Sequence, residues 1–223
     1  MNTNVIIVFD FETGGLDIET TEPIEIAAVA FDPRTLSPIP DGRFYSLCKP
    51  TDFSILSSEA LRVNGKTVEQ LQSAPEQKVV WPAFIKFINQ YNPKKGGMYT
   101  RPIPSGKNIR GFDLPIFNRI CKQYGFVGKD GNQNVFHGRK VYELEDFIEY
   151  WFENSNDLPN QKMDTIRDYF GLSTAGAHEA MTDTIQTAQL VMRFLELHRK
   201  TFKLVQFKGS CNTIPQNLMS LYQ

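Results

Sequence analysis

Residues 5–13, VIIVFDFET, run straight into Gly14-Gly15 and decide the fold. A short apolar, β-branched run closed by a glycine turn reads as a buried strand of the parallel-sheet kind. On a strand alternate residues share a face, so Asp10 and Glu12 point one way while Phe9 and Phe11 point the other, into packing. Two carboxylates held about 7 Å apart along one face repel each other, and the usual way to offset that cost is a divalent cation. An isolated Asp-x-Glu at a strand end is most often a pair of solvated acids. Here five apolar residues precede Asp10, so the acids stand at the lip of a core, where open α/β sheets bind their ligands.

Outward from this strand, Pro23 precedes IEIAAVAFD, a second strand, and Asp41-Gly42 introduces RFYSLCKP, a third, so the first half reads as a three-stranded meander. SSEALRVNGKT has helical spacing stopped at Asn64-Gly65. PEQKVVWPAFIKFINQY is an amphipathic helix with Val80, Phe84, Phe87 and Ile88 on one side. FDLPIFNRICKQYG predicts another, with Asp113 suited to the N-cap, Pro115 in the first turn and Gly125 past the end. Residues 128–138 are rich in turn formers and read as a surface excursion. RKVYELEDFIEYWF reads as a strand running into a helix, and QKMDTIRDYFG as a helix closed by Gly171. From Glu179 to about Phe202 the set Met181, Ile185, Ala188, Met192 and Leu195 marks a long helix. Beyond Lys208 the periodicity is lost, so residues 206–223 are expected to be a loosely packed or partner-binding tail behind a domain of residues 1–205.

The chain has 223 residues, 41% of them hydrophobic and 22% charged, as expected of a globular chain with one substantial core. No apolar run is long enough to span a bilayer and no secretory leader is evident, so an intracellular, cytoplasmic location is expected. Cys48, Cys121 and Cys211 lack the spacing of a zinc site or disulfide framework. With three histidines available, a metal site must be built mainly from oxygen, which suits magnesium or manganese. The net charge of −1 hides an uneven distribution: residues 92–111 carry Lys94, Lys95, Arg101, Lys107 and Arg110 and no acid, so +5 sits there and −6 on the rest. Such a loop either leads a phosphate backbone toward the acids, through Lys107 and Arg110 among others, or is a solvated surface run.

Two further acids lie in short motifs, Asp113 in NIRGFDLP and Asp183 in HEAMTDTIQTA. Taken singly, Asp113 is an ordinary helix cap and Asp183 an acid favoured in a first helical turn. Taken with Asp10 and Glu12, they make a set of four carboxylates that a fold would gather to hold cations. The pattern Asp10-x-Glu12-Thr13-Gly14-Gly15-Leu16, then Asn108-x-x-x-Phe112-Asp113, then His178-x-x-x-x-Asp183 resembles the DEDDh, or DnaQ-like, 3′–5′ exonucleases. IEIAAVAFD, EALRVNGKTVEQL and MDTIRDYFGL add similarity between the motifs, so that residues 4–197 are covered in order.

The resemblance implies a ribonuclease H-like α/β fold, a mixed five-stranded sheet flanked by helices. It implies two divalent cations, Mg2+ or Mn2+, with Asp10 ligating both, Glu12 and Asp183 completing the shells, and Asp113 acting directly or through water. His178 is then the general base, and Thr13, Gly14, Leu16, Asn108 and Phe112 face the terminal nucleotide. The expected substrate is the 3′ end of single-stranded nucleic acid, DNA in the first instance, with a polymerase or repair complex as partner. An exoribonuclease with the same chemistry, and an adaptor without activity, stay open. Two departures stand out: Pro102 and Pro104 interrupt the run before Asn108, which suggests a bulge or an edge strand, and VYELEDF lacks the Asp-Thr pair frequent in such chains.

Overall fold

The run at residues 5–13 forms the central strand of a five-stranded mixed sheet. The computed structural model describes residues 4–93, 96–175 and 179–204. Lys94, Lys95, His178, Lys208, Cys211 and the rest of the expected tail fall outside them. The strands are β1 (Ile6–Thr13), β2 (Pro23–Phe31), β3 (Pro38–Leu47), β4 (Ile103–Gly106) and β5 (Tyr142–Glu143), in the order β3-β2-β1-β4-β5. The first three are an antiparallel meander, as expected, and β4 and β5 add in parallel to β1. The helices are α1 (Ser58–Asn64), α2 (Val68–Gln72), α3 (Gln77–Asn89), α4 (Asp113–Gln123), α5 (Leu144–Trp151), α6 (Met163–Phe170) and α7 (Ala180–Leu204). The short α2 was not anticipated, although Thr67 and Gln70 form the reciprocal capping box that starts it.

The two-residue period of β1 divides the core into two layers. Ile7, Phe9 and Phe11 join Ile26, Ala28 and Ala30 of β2 against Trp81 and Phe84 of α3 and Phe117 of α4. Ile6 and Val8 go the other way, with Val29 and Phe31, against α5, α6 and α7. Asp10 and Glu12 continue this second row, so they emerge on the side that α7 covers.

Three local expectations need correction. The third strand starts at Pro38 rather than after Asp41-Gly42; Asp41 is absorbed within it at φ 57°, and the register with β2 slips between Val29 and Phe31. Pro104 does not mark an edge, because β4 lies between β1 and β5. Ile103 N–H donates to Val5 O at 2.8 Å, so the donor that Pro104 lacks points away from β1, on the side where β5 pairs only from Ser105 onward. The excursion at 128–138 returns into the core, where the Phe136 ring stacks on Phe9 at 5.4 Å. On α7, Ala188 and Met192 of the expected stripe are buried and Met181, Ile185 and Leu195 pack partly buried against the same cluster, while Thr184, Thr187, Leu190, Val191 and Phe194 widen the buried face.

Candidate active site

Asp10 lies at the carboxyl end of β1, where a cavity of about 230 Å³ opens. Asp10, Asp113 and Asp183 all line it, with Lys107, Asn108, Phe112, Met163 and Thr187. Three separate elements therefore deliver one carboxylate each: β1, the start of α4 and the first turn of α7. Glu12, two residues along β1, faces an adjoining cavity of about 640 Å³, whose wall is mostly apolar and includes Thr13, Gly15, Leu16, Ala60, Val63 and Phe112. Phe11 and Phe112 border both cavities.

Asp113 is buried and occupies the first helical position of α4, while Phe112 holds the N-cap at φ −132°. This corrects the expectation of a capping aspartate. Its Oδ1 accepts from Phe11 N–H at 2.9 Å, so the side chain is spent on β1, where it comes to rest beside Asp10. Asn108, one turn earlier, adopts φ 52° and its carbonyl accepts from Gly111 and Phe112 N–H. That tight turn carries the chain from β4 into α4 and leaves Asn108 at the cavity. A Cβ on Gly111 would meet Asn108 Oδ1 at 2.5 Å, so any larger residue there would turn the Asn108 side chain aside.

The wall on the Glu12 side is fastened by α1. Asn64 Nδ2 donates to Thr13 O at 3.1 Å, and Ser57 N–H donates to Gly14 O at 2.8 Å. A Cβ on Gly14 would meet Leu56 Cδ2 at 2.6 Å, so the Leu56 side chain would have to turn aside. Thr13 Oγ1 donates to Gly15 O at 2.7 Å. Leu16 is left 88% exposed, an apolar side chain displayed at the cavity mouth.

The electrostatics carry the mark of unneutralised charge. Burial foremost, then the negative charge of Asp183 and Glu25, lifts Asp10 to about 7, against some opposition from Lys107. Glu12 rises to about 8, again through burial first and then through Asp10 and Asp183. Asp113 is held well above the usual carboxylate range by burial and by Asp10. Among the described residues no three acids, thiols or imidazoles are yet drawn close enough to hold a metal ion. Asp113 is tied to Phe11 N–H and Asp183 to the guanidinium of Arg167. An all-oxygen donor set that is short of positive charge suits a hard divalent cation.

Sequence reasoning did not single out Glu25, its partners Lys66 and Tyr45, or Arg167, all beside the acids. Glu25 stands directly across from Glu12 in the β1–β2 register, a like-charge pair that destabilises a sheet unless compensated. Compensation comes from Lys66 Nζ at 2.9 Å and the Tyr45 hydroxyl at 2.6 Å. Arg167 is fully buried behind Asp183. Only the antiparallel pairing frame could have exposed Glu25, and the sequence does not number that frame. The expected backbone contacts are partly committed elsewhere: Lys107 lines the carboxylate cavity but pairs with Glu145 at 2.9 Å, and Arg110 pairs with Asp146 at 2.5 Å. Glu143, in the segment that lacks an Asp-Thr pair, is buried and caps α5 through Glu145 N–H while also accepting from Arg110 N–H at 3.2 Å.

Comparison with known proteins agrees with this architecture. Residues 7–93 match the exonuclease family RNase_T. The chain is 26% identical over 198 residues to the DNA polymerase III subunit epsilon of Aquifex aeolicus, covering 85% of this chain and 80% of that one. Among solved structures it superposes on Escherichia coli exonuclease I bound to a dT13 oligonucleotide with a TM-score of 0.71 at 16% identity, covering 90% of this chain and 43% of that one. Cell-death related nuclease 4 superposes with a TM-score of 0.69 at 18% identity, covering 88% of this chain and 65% of that nuclease. At these identities the superpositions speak for the fold, the ribonuclease H-like sheet, and the chain spans under half of exonuclease I.

Proposed function

We propose that this chain, a member of the DnaQ-like exonucleases, is a metal-dependent 3′–5′ exonuclease that removes 5′-mononucleotides from single-stranded ends, DNA by preference. The observation that carries this reading is the convergence of Asp10, Asp113 and Asp183 on one cavity, with Glu12 at the seam to an apolar neighbour. Asp10, Glu12, Asp113 and Asp183 would hold two divalent cations, magnesium or manganese. Bound there, such ions supply an activated water, charge neutralisation at phosphorus and stabilisation of the leaving alkoxide.

The protein's own part is placement. The apolar cavity beside Glu12 accepts the terminal nucleoside, with Leu16 and Phe112 against its flat face and the Thr13–Gly15 turn against its sugar. That seating sets the scissile phosphate over Asp10 and Asp183. Lys107 and Asn108, on the same cavity, lie where the phosphate's oxygens would arrive. His178, outside the described residues, is assigned the proton of the attacking water on the strength of the motif, and a histidine titrating near neutrality suits that task. Replacing it with alanine should slow cleavage by about 10²–10⁴-fold and flatten the pH–rate profile; an unchanged profile would remove it from the role. Preference for DNA rests on the relatedness to a DNA polymerase III subunit and on the oligonucleotide held by exonuclease I. A polymerase partner, with residues 206–223 as its contact, extends the same reasoning.

The decisive assay offers 5′-labelled DNA and RNA, single- and double-stranded, to the purified protein with magnesium or manganese. A descending ladder on single-stranded DNA is the expected result. A ladder on RNA alone would reassign the substrate, and no degradation with either cation would leave an adaptor.

A further inference from the structure

The guanidinium of Arg167 has no access to solvent, which is rare for arginine and costs several kcal/mol unless every donor is answered. It is answered by three side chains. Nε donates to Gln186 Oε1 at 2.8 Å, Nη1 donates to Asp164 Oδ1 at 2.8 Å, and Nη2 donates to Asp183 Oδ1. Gln186 and Asp183 are three residues apart and so share one face of α7. Gln186 in turn donates through Nε2 to Ser173 O at 2.7 Å, and Leu172 N–H donates to Arg167 O at 2.9 Å. The arginine thus ties α6, α7 and the segment after α6 to one carboxylate of the cavity.

A purely adhesive role does not require a charge. Ile166, the neighbouring residue, already cements α6 to the core, and well-packed apolar side chains commonly replace buried ion pairs with no loss of stability. What an apolar residue cannot do is hold Asp183 in place against Asp10 and Glu12, whose charges push on it. Gln186 and Asp164 hold the plane of the guanidinium, so the one Nη2 that reaches Asp183 Oδ1 arrives from a fixed direction, which a freely rotating ammonium cannot provide.

We propose that Arg167 is a positioning residue for Asp183: its buried fork locks that carboxylate at the rim of the cavity and prearranges the acidic cluster for its cations. This rests on the reading of the cavity as a metal site.

The test is Mn2+ binding by calorimetry to purified protein without substrate, for wild type, Asp183→Asn, Arg167→Met, Arg167→Lys and the double variant Arg167→Met/Asp183→Asn. Arg167→Met should weaken Mn2+ binding about 10–100-fold, the range found when an outer partner of a metal ligand is lost. Arg167→Lys should fall between it and wild type. In the Asp183→Asn background the arginine substitution should cost nothing more, since its effect passes through that carboxylate. Wild-type affinity in folded Arg167→Met, or an equal further loss in the double variant, overturns the proposal. Should Arg167→Met not fold, Arg167→Lys alone and on Asp183→Asn is judged by the same two criteria. If Asp183→Asn binds Mn2+ as wild type does, the metal-site reading fails and takes Arg167 with it. If Asp183→Asn loses binding while the arginine variants keep it, the role of Arg167 alone fails.

Discussion

The two faces of β1 are built from the same eight residues and obey opposite rules. One face, Ile7, Phe9 and Phe11, sits in a ring cluster where Phe9 touches Phe84, Phe117 and Phe136 at centroid separations of 5.4–6.0 Å. The other begins equally apolar at Ile6 and Val8 and then turns to Asp10 and Glu12, both lifted far from their ordinary range by burial and mutual charge. The aromatic face stabilises the fold, whereas the acidic face opposes it, a cost that the proposed cations would offset. Stability and readiness are thereby separated by one residue along the chain, which only a strand's alternation permits.

Substitutions that discriminate between the faces should divide cleanly. Asp10→Ala should abolish nuclease turnover, by at least about 10³-fold, since several kcal/mol of metal-dependent stabilisation is lost; circular dichroism should show the fold intact. Appreciable turnover in that variant would break the comparison at its acidic side. Phe9→Ala should cost about 3–5 kcal/mol in urea unfolding through the cavity it leaves, with Mn2+ affinity little changed in whatever fraction is folded.

The pH dependence sharpens the contrast. In the unfolded chain the acids ionise near pH 4, whereas the metal-free fold keeps Asp10 protonated to about 7 and Glu12 to about 8. The fold therefore binds more protons than the unfolded chain, and its stability falls as pH climbs from about 4 to about 8. In chelator, the unfolding free energy at pH 8.5 should lie below that at pH 5.5 by on the order of 5 kcal/mol, and added Mn2+ should restore more at the higher pH. Asp10→Asn should make the chelated profile shallower, with Glu12 keeping part of the slope; a wild-type profile flat from the outset would deny the acids their strain. Smallest is Leu16→Ala. With that side chain 88% exposed, stability should move by less than about 0.5 kcal/mol, while KM rises a few-fold at constant kcat through loss of apolar contact with the terminal nucleotide.

The first three strands, most helices and the shared face of Asp10 and Glu12 were readable because each depends on a period of two or 3.6 or on a local stop such as Gly65 or Gly171, both in the left-handed region, whereas Asp113 and Asp183 were legible only through motif resemblance. Asp113 shows where local reading fails. Its position at a helix start predicts a cap, and tertiary structure diverts it to Phe11 N–H across 102 residues of chain. The interior placement of Pro104 escapes local reading for the same reason, since it depends on which strand lies alongside.

What the order of residues established alone is which side chains share a face: carboxylates with carboxylates, aromatics with aromatics. Who stands opposite them had to await folding. Lys66 and Tyr45 beside Glu25, Lys107 beside Asp10, and Arg167 beneath Asp183 come from elements remote in sequence, and a charge's energy depends on its distance to those partners and on how much water lies between, neither of which a linear pattern contains.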